Sequence, residues 1–222
     1  MVEKSLILVL ILFALFQGLW VEAAGYRPEL SGRFEVSDRK FTEFEDATDM
    51  EVFADYYFFK RFWLRYRQRL NVNDYYFLRI QYEEREYDKE INNNNRSFEL
   101  SGNYTYNLRD NLRNRWRVIL RDRDYINNRS RSYRSYRLRY RVDYEYSSRH
   151  DYSIYLQRQF NDYYKGVNDN IRDRISLGWG FAVSDRLDLD TNLQFDRECY
   201  EPETGRTNKY DRRLSVNFSY DL

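Results

Sequence analysis

Tyr136-Arg137-Leu138-Arg139-Tyr140-Arg141-Val142-Asp143-Tyr144-Glu145-Tyr146 places an apolar or aromatic side chain at every even position and a charge at every odd one. Successive side chains of a strand point to opposite faces, so strict alternation over this length specifies a β-strand with one greasy and one polar side. The period recurs outward from this stretch. Phe98, Leu100, Gly102, Tyr104 and Tyr106 alternate with Glu99, Ser101, Asn103 and Thr105, and Ile175, Leu177, Trp179, Phe181 and Val183 with Ser176, Gly178, Gly180 and Ala182. Ten such segments are expected, near 31–44, 53–70, 74–87, 97–109, 112–125, 133–147, 151–163, 171–183, 186–198 and 209–222. The first is the weakest, because its alternation fails after Val36.

The connections alternate too. Short ones such as Asn71-Val72-Asn73-Asp74 and Arg109-Asp110-Asn111 carry turn-forming Asn and Asp, and longer polar ones such as Asp88 to Ser97 and Tyr200 to Lys209 lie between them. Short turns at one end and longer loops at the other predict an all-β, antiparallel transmembrane barrel of about ten strands, with its turns in the periplasm and its loops outside. The soluble alternative is a lipocalin-like barrel or a sandwich with the apolar face inward. Against it, segments of about 12 to 16 residues exceed the usual soluble strand of about 5 to 6. Polar residues also invade the greasy face mostly toward strand ends (Gln68, Asn114, Asp122, Asp124, Arg134, Arg158, Arg197, with Lys60 the least clear), leaving the middles clean. An apolar band about 25 Å tall produces that distribution, and a soluble core does not. Tyrosines cluster toward both ends of the segments, which suggests two aromatic girdles at the head-group levels.

The 222 residues include 23 Tyr and 15 Phe but only 8 Gly, 2 Pro and 1 Cys, which excludes collagen, a disulfide scaffold and a disordered chain. The mean hydropathy of −0.91 misleads, because half of every strand is charged. Residues 1–23 read as a secretory signal peptide: Lys4 is the positive end, Ser5 to Trp20 the apolar stretch, and Val21-Glu22-Ala23 the approach to the cut. Residues 24–222 then form one barrel domain. Removing 1–23 takes Lys4, Glu3 and Glu22 from 37 basic and 36 acidic side chains, leaving 36 and 34. So balanced a chain does not suit nucleic acid, despite its many arginines. Cys199 has no partner for an intrachain disulfide.

The signal peptide, the strand–turn pattern and the C-terminal Leu214-Ser215-Val216-Asn217-Phe218-Ser219-Tyr220-Asp221-Leu222 resemble small Gram-negative outer-membrane proteins. Within that class the chain is most similar to the acidic-oligosaccharide porins of the oligogalacturonate type, and to small barrels with RLRYR-rich strands. The resemblance is one of pattern and composition over residues 24–222, without a specific motif. It implies an outer-membrane location among lipid and lipopolysaccharide, recognition of the last strand by the barrel assembly machinery, and transport of small anionic solutes. The class usually ends in Phe where this chain has Leu222, and these porins usually have twelve strands where ten are counted here.

If the greasy face meets lipid, the polar face lines the lumen. The second segment contributes Arg61, Arg65, Arg67 and Arg69; the fifth Arg113, Arg115, Arg117, Arg121 and Arg123; the sixth Arg137, Arg139 and Arg141. Acids stand elsewhere: Asp188, Asp190, Asp196 and Glu198 on the ninth, Glu83 on the third and Glu99 on the fourth. An arginine wall facing a carboxylate wall suits anionic solutes, because guanidinium binds carboxylate bidentately. Two readings stay open. The lumen is a narrow anion-preferring pore, to which the small residues Ser176, Gly178, Gly180 and Ala182 lend room, or it is closed by its own salt bridges, as barrels of about eight strands are filled by their side chains. An enzyme is not expected, since the only histidine, His150, sits in a short turn on the periplasmic side. No residue pattern calls for a metal or cofactor.

Overall fold

In the computed structural model the structure describes residues 26–45, 50–164, 168–184, 186–202 and 205–220, without the side chains of 39–45 and 50–55. Residues 1–23 and Leu222 lie outside these. Ten strands follow one another: β1 (Glu29–Glu45), β2 (Met50–Arg69), β3 (Tyr75–Tyr87), β4 (Asn95–Arg109), β5 (Leu112–Tyr125), β6 (Tyr133–Ser147), β7 (His150–Tyr163), β8 (Asn170–Ser184), β9 (Leu187–Tyr200) and β10 (Lys209–Tyr220). They form one antiparallel meander in sequence order. Single 3-10 turns lie at Ile91–Asn93 and Arg129–Arg131.

The short turns are built by side chains competing with the backbone. At the β2–β3 turn the Asn71 Oδ1 accepts the amides of Asn73 and Asp74, each at 2.8 Å, and its amide group donates to Asp74 at 2.7 Å. β4–β5, β6–β7 and β8–β9 each take a register shift beside their turn, at Asn107/Arg109, Glu145/Ser147 and Ala182/Ser184.

Burial is inverted relative to a soluble β-protein. The mid-strand apolar residues are exposed, with Val118 at 47% and Leu138 at 46%, whereas Ser101 is 1% and Glu99 7% exposed on the opposite face. Among the described residues only Phe59 and Ile119 are buried hydrophobics, and both stand at odd positions on the polar side. Most of the buried polar side chains share that side, including Glu83, Ser97, Thr105, Ser135 and Gln159. The sheet therefore curls with its polar face inward and its apolar face outward, the polarity of a transmembrane barrel wall.

Two expectations change. The sheet is open: β1 and β10 are the ends of the strand order, and no pairing joins them among the described residues. Each existing seam is set by a local connection, whereas the closing seam joins segments nearly a chain length apart. β1 also loses the alternation that would pin its register. The second change concerns the tyrosines. At the turn end they form an outward belt, with Tyr66–Tyr76 at 6.2 Å and Trp116–Tyr140 at 4.2 Å between ring centroids. At the loop end, Tyr57–Tyr87 (4.9 Å) and Tyr133–Tyr163 (5.2 Å) pair at odd, inward positions. There the outward positions carry charges beside exposed rings such as Tyr56 and Tyr210, so the outer surface has an aromatic girdle at the turn end and a mixed, largely ionic one at the loop end.

Candidate functional site

The site is the inward face of β2, β3, β5 and β6, where the period of two brings every odd side chain together. Across these seams the register sets like charges directly opposite: Arg65 against Arg79, Arg117 against Arg139, and Arg115 against Arg141. Like charges at such positions repel, so their neighbours decide what the face can do.

Toward the loop end the arginines are neutralised. Arg61 donates to Glu83 through Nε at 3.1 Å and Nη2 at 2.9 Å, and Arg85 reaches the other oxygen of Glu83 at 2.7 Å. Arg121 donates to Glu99 through Nε at 3.0 Å and through Nη2. Toward the turn end, Asp143 receives both Arg115 and Arg141, the latter at 2.6 Å. Arg67 approaches Glu29 at 3.5 Å and lies 4.5 Å from the Tyr75 ring.

Between these zones the charges are left to neutral partners. Arg137 donates to Gln159 at 2.6 Å and Arg139 to Gln157 at 2.9 Å. Arg79 lies 5.2 Å and Arg65 6.0 Å from the Trp63 ring, and Arg65 also donates to Ser31 at 3.3 Å. The Nε atoms of Arg79 and Arg117 are buried without a hydrogen-bond partner. Arg117 feels the charges of Arg139 and Arg79, Arg79 those of Arg61 and Arg65, and Glu99 is the one carboxylate acting on Arg79, Arg117 and Arg137 alike. A guanidinium cluster thus sits part-way along the strands on the inner face.

The ninth-strand acids do not face this cluster as a wall. Asp196 and Glu198 are taken by their neighbours on β8, Arg174 at 2.6 Å and Arg172 at 2.8 Å. Asp188 and Asp190 lie at the turn end, where with Arg113, Asp143 and Asp151 they line a cavity of about 480 Å³. Charge is divided along the strands more than across the sheet. The small residues of β8 are only partly free room: Gly180 and Ala182 border that cavity, but a Cβ on Gly178 would stand 2.4 Å from the Ser153 Oγ, and one on Gly180 2.2 Å from the Asp151 Oδ2. Those glycines accommodate the side chains of β7.

Arg79 and Trp63 complete the cluster, and neither was among the solute-path residues inferred from sequence. The signal was present, since both stand at odd positions on their strands. His150 packs among rings, 4.6 Å from Phe181, and accepts the Trp179 indole N–H at 3.3 Å. No group of three or more potential metal ligands occurs among the described residues.

No protein-family model matches the chain, and no curated protein matches it. Among solved structures, the copper transporter OprC aligns at 10% identity and a TM-score of 0.46, over 89% of this chain and 42% of its own length. The KdgM porin in complex with disordered oligogalacturonate aligns at 11% identity and a TM-score of 0.38, over 89% of this chain and 97% of its own. The chain therefore spans less than half of the transporter and nearly all of the porin.

Proposed function

We propose that this protein is a narrow β-barrel of the bacterial outer membrane that passes small anionic solutes, such as acidic oligosaccharides, past the arginine cluster of Arg65, Arg79, Arg117, Arg137 and Arg139. The observation that carries the reading is the like-charged register on the inner face, where among the described residues Glu99 is the acid that Arg79, Arg117 and Arg137 share. A face evolved only to fill a lumen would pair its cations, because unpaired buried charge is costly. Same-face residues along a strand are about 6.6 Å apart, so a carboxylated chain can move from one guanidinium to the next along Arg113, Arg115 and Arg117 or Arg137, Arg139 and Arg141. Tyr75, Phe77 and Tyr155 offer aromatic faces beside them.

The membrane setting rests on the exposed apolar face, which in water would be a large aggregation-prone surface. In lipid, unpaired strand edges are unfavourable, so β1 and β10 pair with each other on insertion. An even number of strands makes that seam antiparallel. The outward Leu214, Val216, Phe218 and Tyr220 of β10 form the surface offered to the assembly machinery. Solute transport makes the protein a channel and not an enzyme.

Ion pairs at the ends of the inner face favour a second reading, a closed structural barrel: Arg61–Glu83–Arg85, Arg121–Glu99 and Arg174–Asp196 all bridge neighbouring strands. Planar-bilayer recording of the refolded protein separates the two. A pore gives single-channel steps and an anion-selective reversal potential across a KCl gradient, weakening at 1 M salt where screening shortens to about 3 Å. Silence from demonstrably folded protein retires the pore. Cation selectivity at low salt would transfer control to acids such as Asp188 and Asp190.

A further inference from the structure

The outward surface differs at its two ends. Toward the turns it is neutral and aromatic, with Tyr66, Tyr76, Trp116, Tyr140 and Trp179. Toward the loops it carries ion pairs: Lys60 with Glu86 at 3.4 Å, Arg96 with Glu84 at 2.6 Å, and Asp173 with Arg158 at 2.8 Å and Arg197 at 2.6 Å. Two identical leaflets would ask for two similar belts. An ionic belt on one side fits a bilayer whose outer leaflet is phosphorylated.

From Trp116 and Tyr140 of the aromatic belt to Arg158, Asp173 and Arg197 of the ionic one runs a groove of about 780 Å³. Its apolar lining comes from outward residues of β5 to β9, among them Leu138, Leu156, Ile175 and Phe195, and Arg158, Arg197 and Arg212 stand on its polar side. Asp173 is its one carboxylate from the outward face. Asp196 and Asp211, which also reach it, occupy inward positions and are held by Arg174 at 2.6 Å and Arg213 at 3.6 Å. Three guanidinium groups therefore meet one outward acid above an apolar floor. Guanidinium forks match phosphate oxygens as well as carboxylates, and exposed arginine–aspartate pairs are weak enough to exchange.

Given the membrane setting proposed above, we infer that this groove binds lipopolysaccharide, with an acyl chain along Leu138, Leu156, Ile175 and Phe195 and a lipid phosphate on Arg158, Arg197 and Arg212. The inner cluster has no part in this site, so the two functions separate by mutation.

The test uses the full protein folded into phosphatidylcholine vesicles, with the unfolding midpoint read from heat-dependent gel mobility. Added lipopolysaccharide raises the midpoint of the parent. In R158Q/R197Q/R212Q the concentration needed rises about tenfold or more, as expected for losing charge-assisted contacts. K60Q/R96Q, on the far side of the belt, responds like the parent. Lipopolysaccharide stripped of its lipid phosphates fails to stabilise the parent, which keeps the test valid even if the triple variant misfolds. An unchanged response in the triple variant, or equal stabilisation by the dephosphorylated lipid or by phosphatidylglycerol, overturns the site. Protein that folds into vesicles but ignores lipopolysaccharide loses this site alone, whereas protein that never inserts loses the membrane reading with it.

Discussion

The loop-end zone and the mid-strand zone of the inner face are both rich in arginine, but only the first sets carboxylates among them. Near the loops, Glu83 and Glu99 each hold arginines from a neighbouring strand, Arg61 and Arg121, by two nitrogens. A strand segment away, Arg117 faces Arg139 across the β5–β6 seam; Arg139 donates to the Gln157 amide, and the Arg117 Nε is buried without a hydrogen-bond partner. Paired charges of the first kind lock strands in register. Repelling charges of the second kind cost stability, and such local conflicts mark positions kept for function.

The largest effect expected is on the paired zone. Replacing Glu99 with Leu removes the acceptor of Arg121 and, among the described residues, the acid shared by Arg79, Arg117 and Arg137. Folding stability should fall by about 1–3 kcal/mol, the cost of orphaning a buried donor, measured by urea unfolding from vesicles. Arg117→Gln should leave stability within about 0.5 kcal/mol, or raise it, by relieving its repulsion with Arg139. Equal losses in the two variants would erase the distinction between the zones.

The next effect is on selectivity. R117Q/R139Q should lower the anion-to-cation permeability ratio about fivefold, corresponding to ~1 kcal/mol of electrostatic work at close range. R61Q, in the paired zone, should move the ratio far less, because Glu83 already cancels that charge. A larger change from R61Q would place the selective step at the loop end. Adding Arg79→Gln to the double variant should reduce the ratio further, since Arg79 and Arg117 share the cluster.

The strands were legible because alternation is a local property. The expected segments 112–125 and 133–147 coincide with β5 and β6 to the residue. The facing followed with it, so Trp63 lies under inward arginines while Trp116 and Trp179 are exposed on the outer face. Partnership across the sheet was not legible. Asp143 stands in register with Arg113, yet its carboxylate receives Arg115 diagonally across the seam and Arg141 along its own strand, because long side chains reach past their register partners. Which cations remain unpaired is set by those diagonals and by bulges such as Glu145/Ser147, neither of which alternation encodes. Arg79 was passed over for a related reason: its inward neighbours Tyr75 and Phe77 are aromatic, so β3 does not stand out as an arginine strand. The loop-end tyrosines misled because an aromatic near a strand end fits either face.

The smallest effect expected concerns the β7–β8 seam, which in sequence looked like spare room. Gly180 pairs with Asp151, and a Cβ there would meet the Asp151 Oδ2 at 2.2 Å. Since Asp151 is exposed, its carboxylate can swing away. The strand backbone gains from losing a glycine, so Gly180→Ala should change stability by only about ±0.5 kcal/mol. Its conductance should match the parent, because Asp151 already fills the space and the methyl merely shares it. Asp151→Ala is the informative contrast. It empties that space and removes one acid from the turn-end cavity, so conductance should rise slightly and anion preference with it. If Gly180→Ala cuts the current sharply while Asp151→Ala leaves it unchanged, the glycines do frame the passage, and the selective zone extends from the arginine cluster down to the turns.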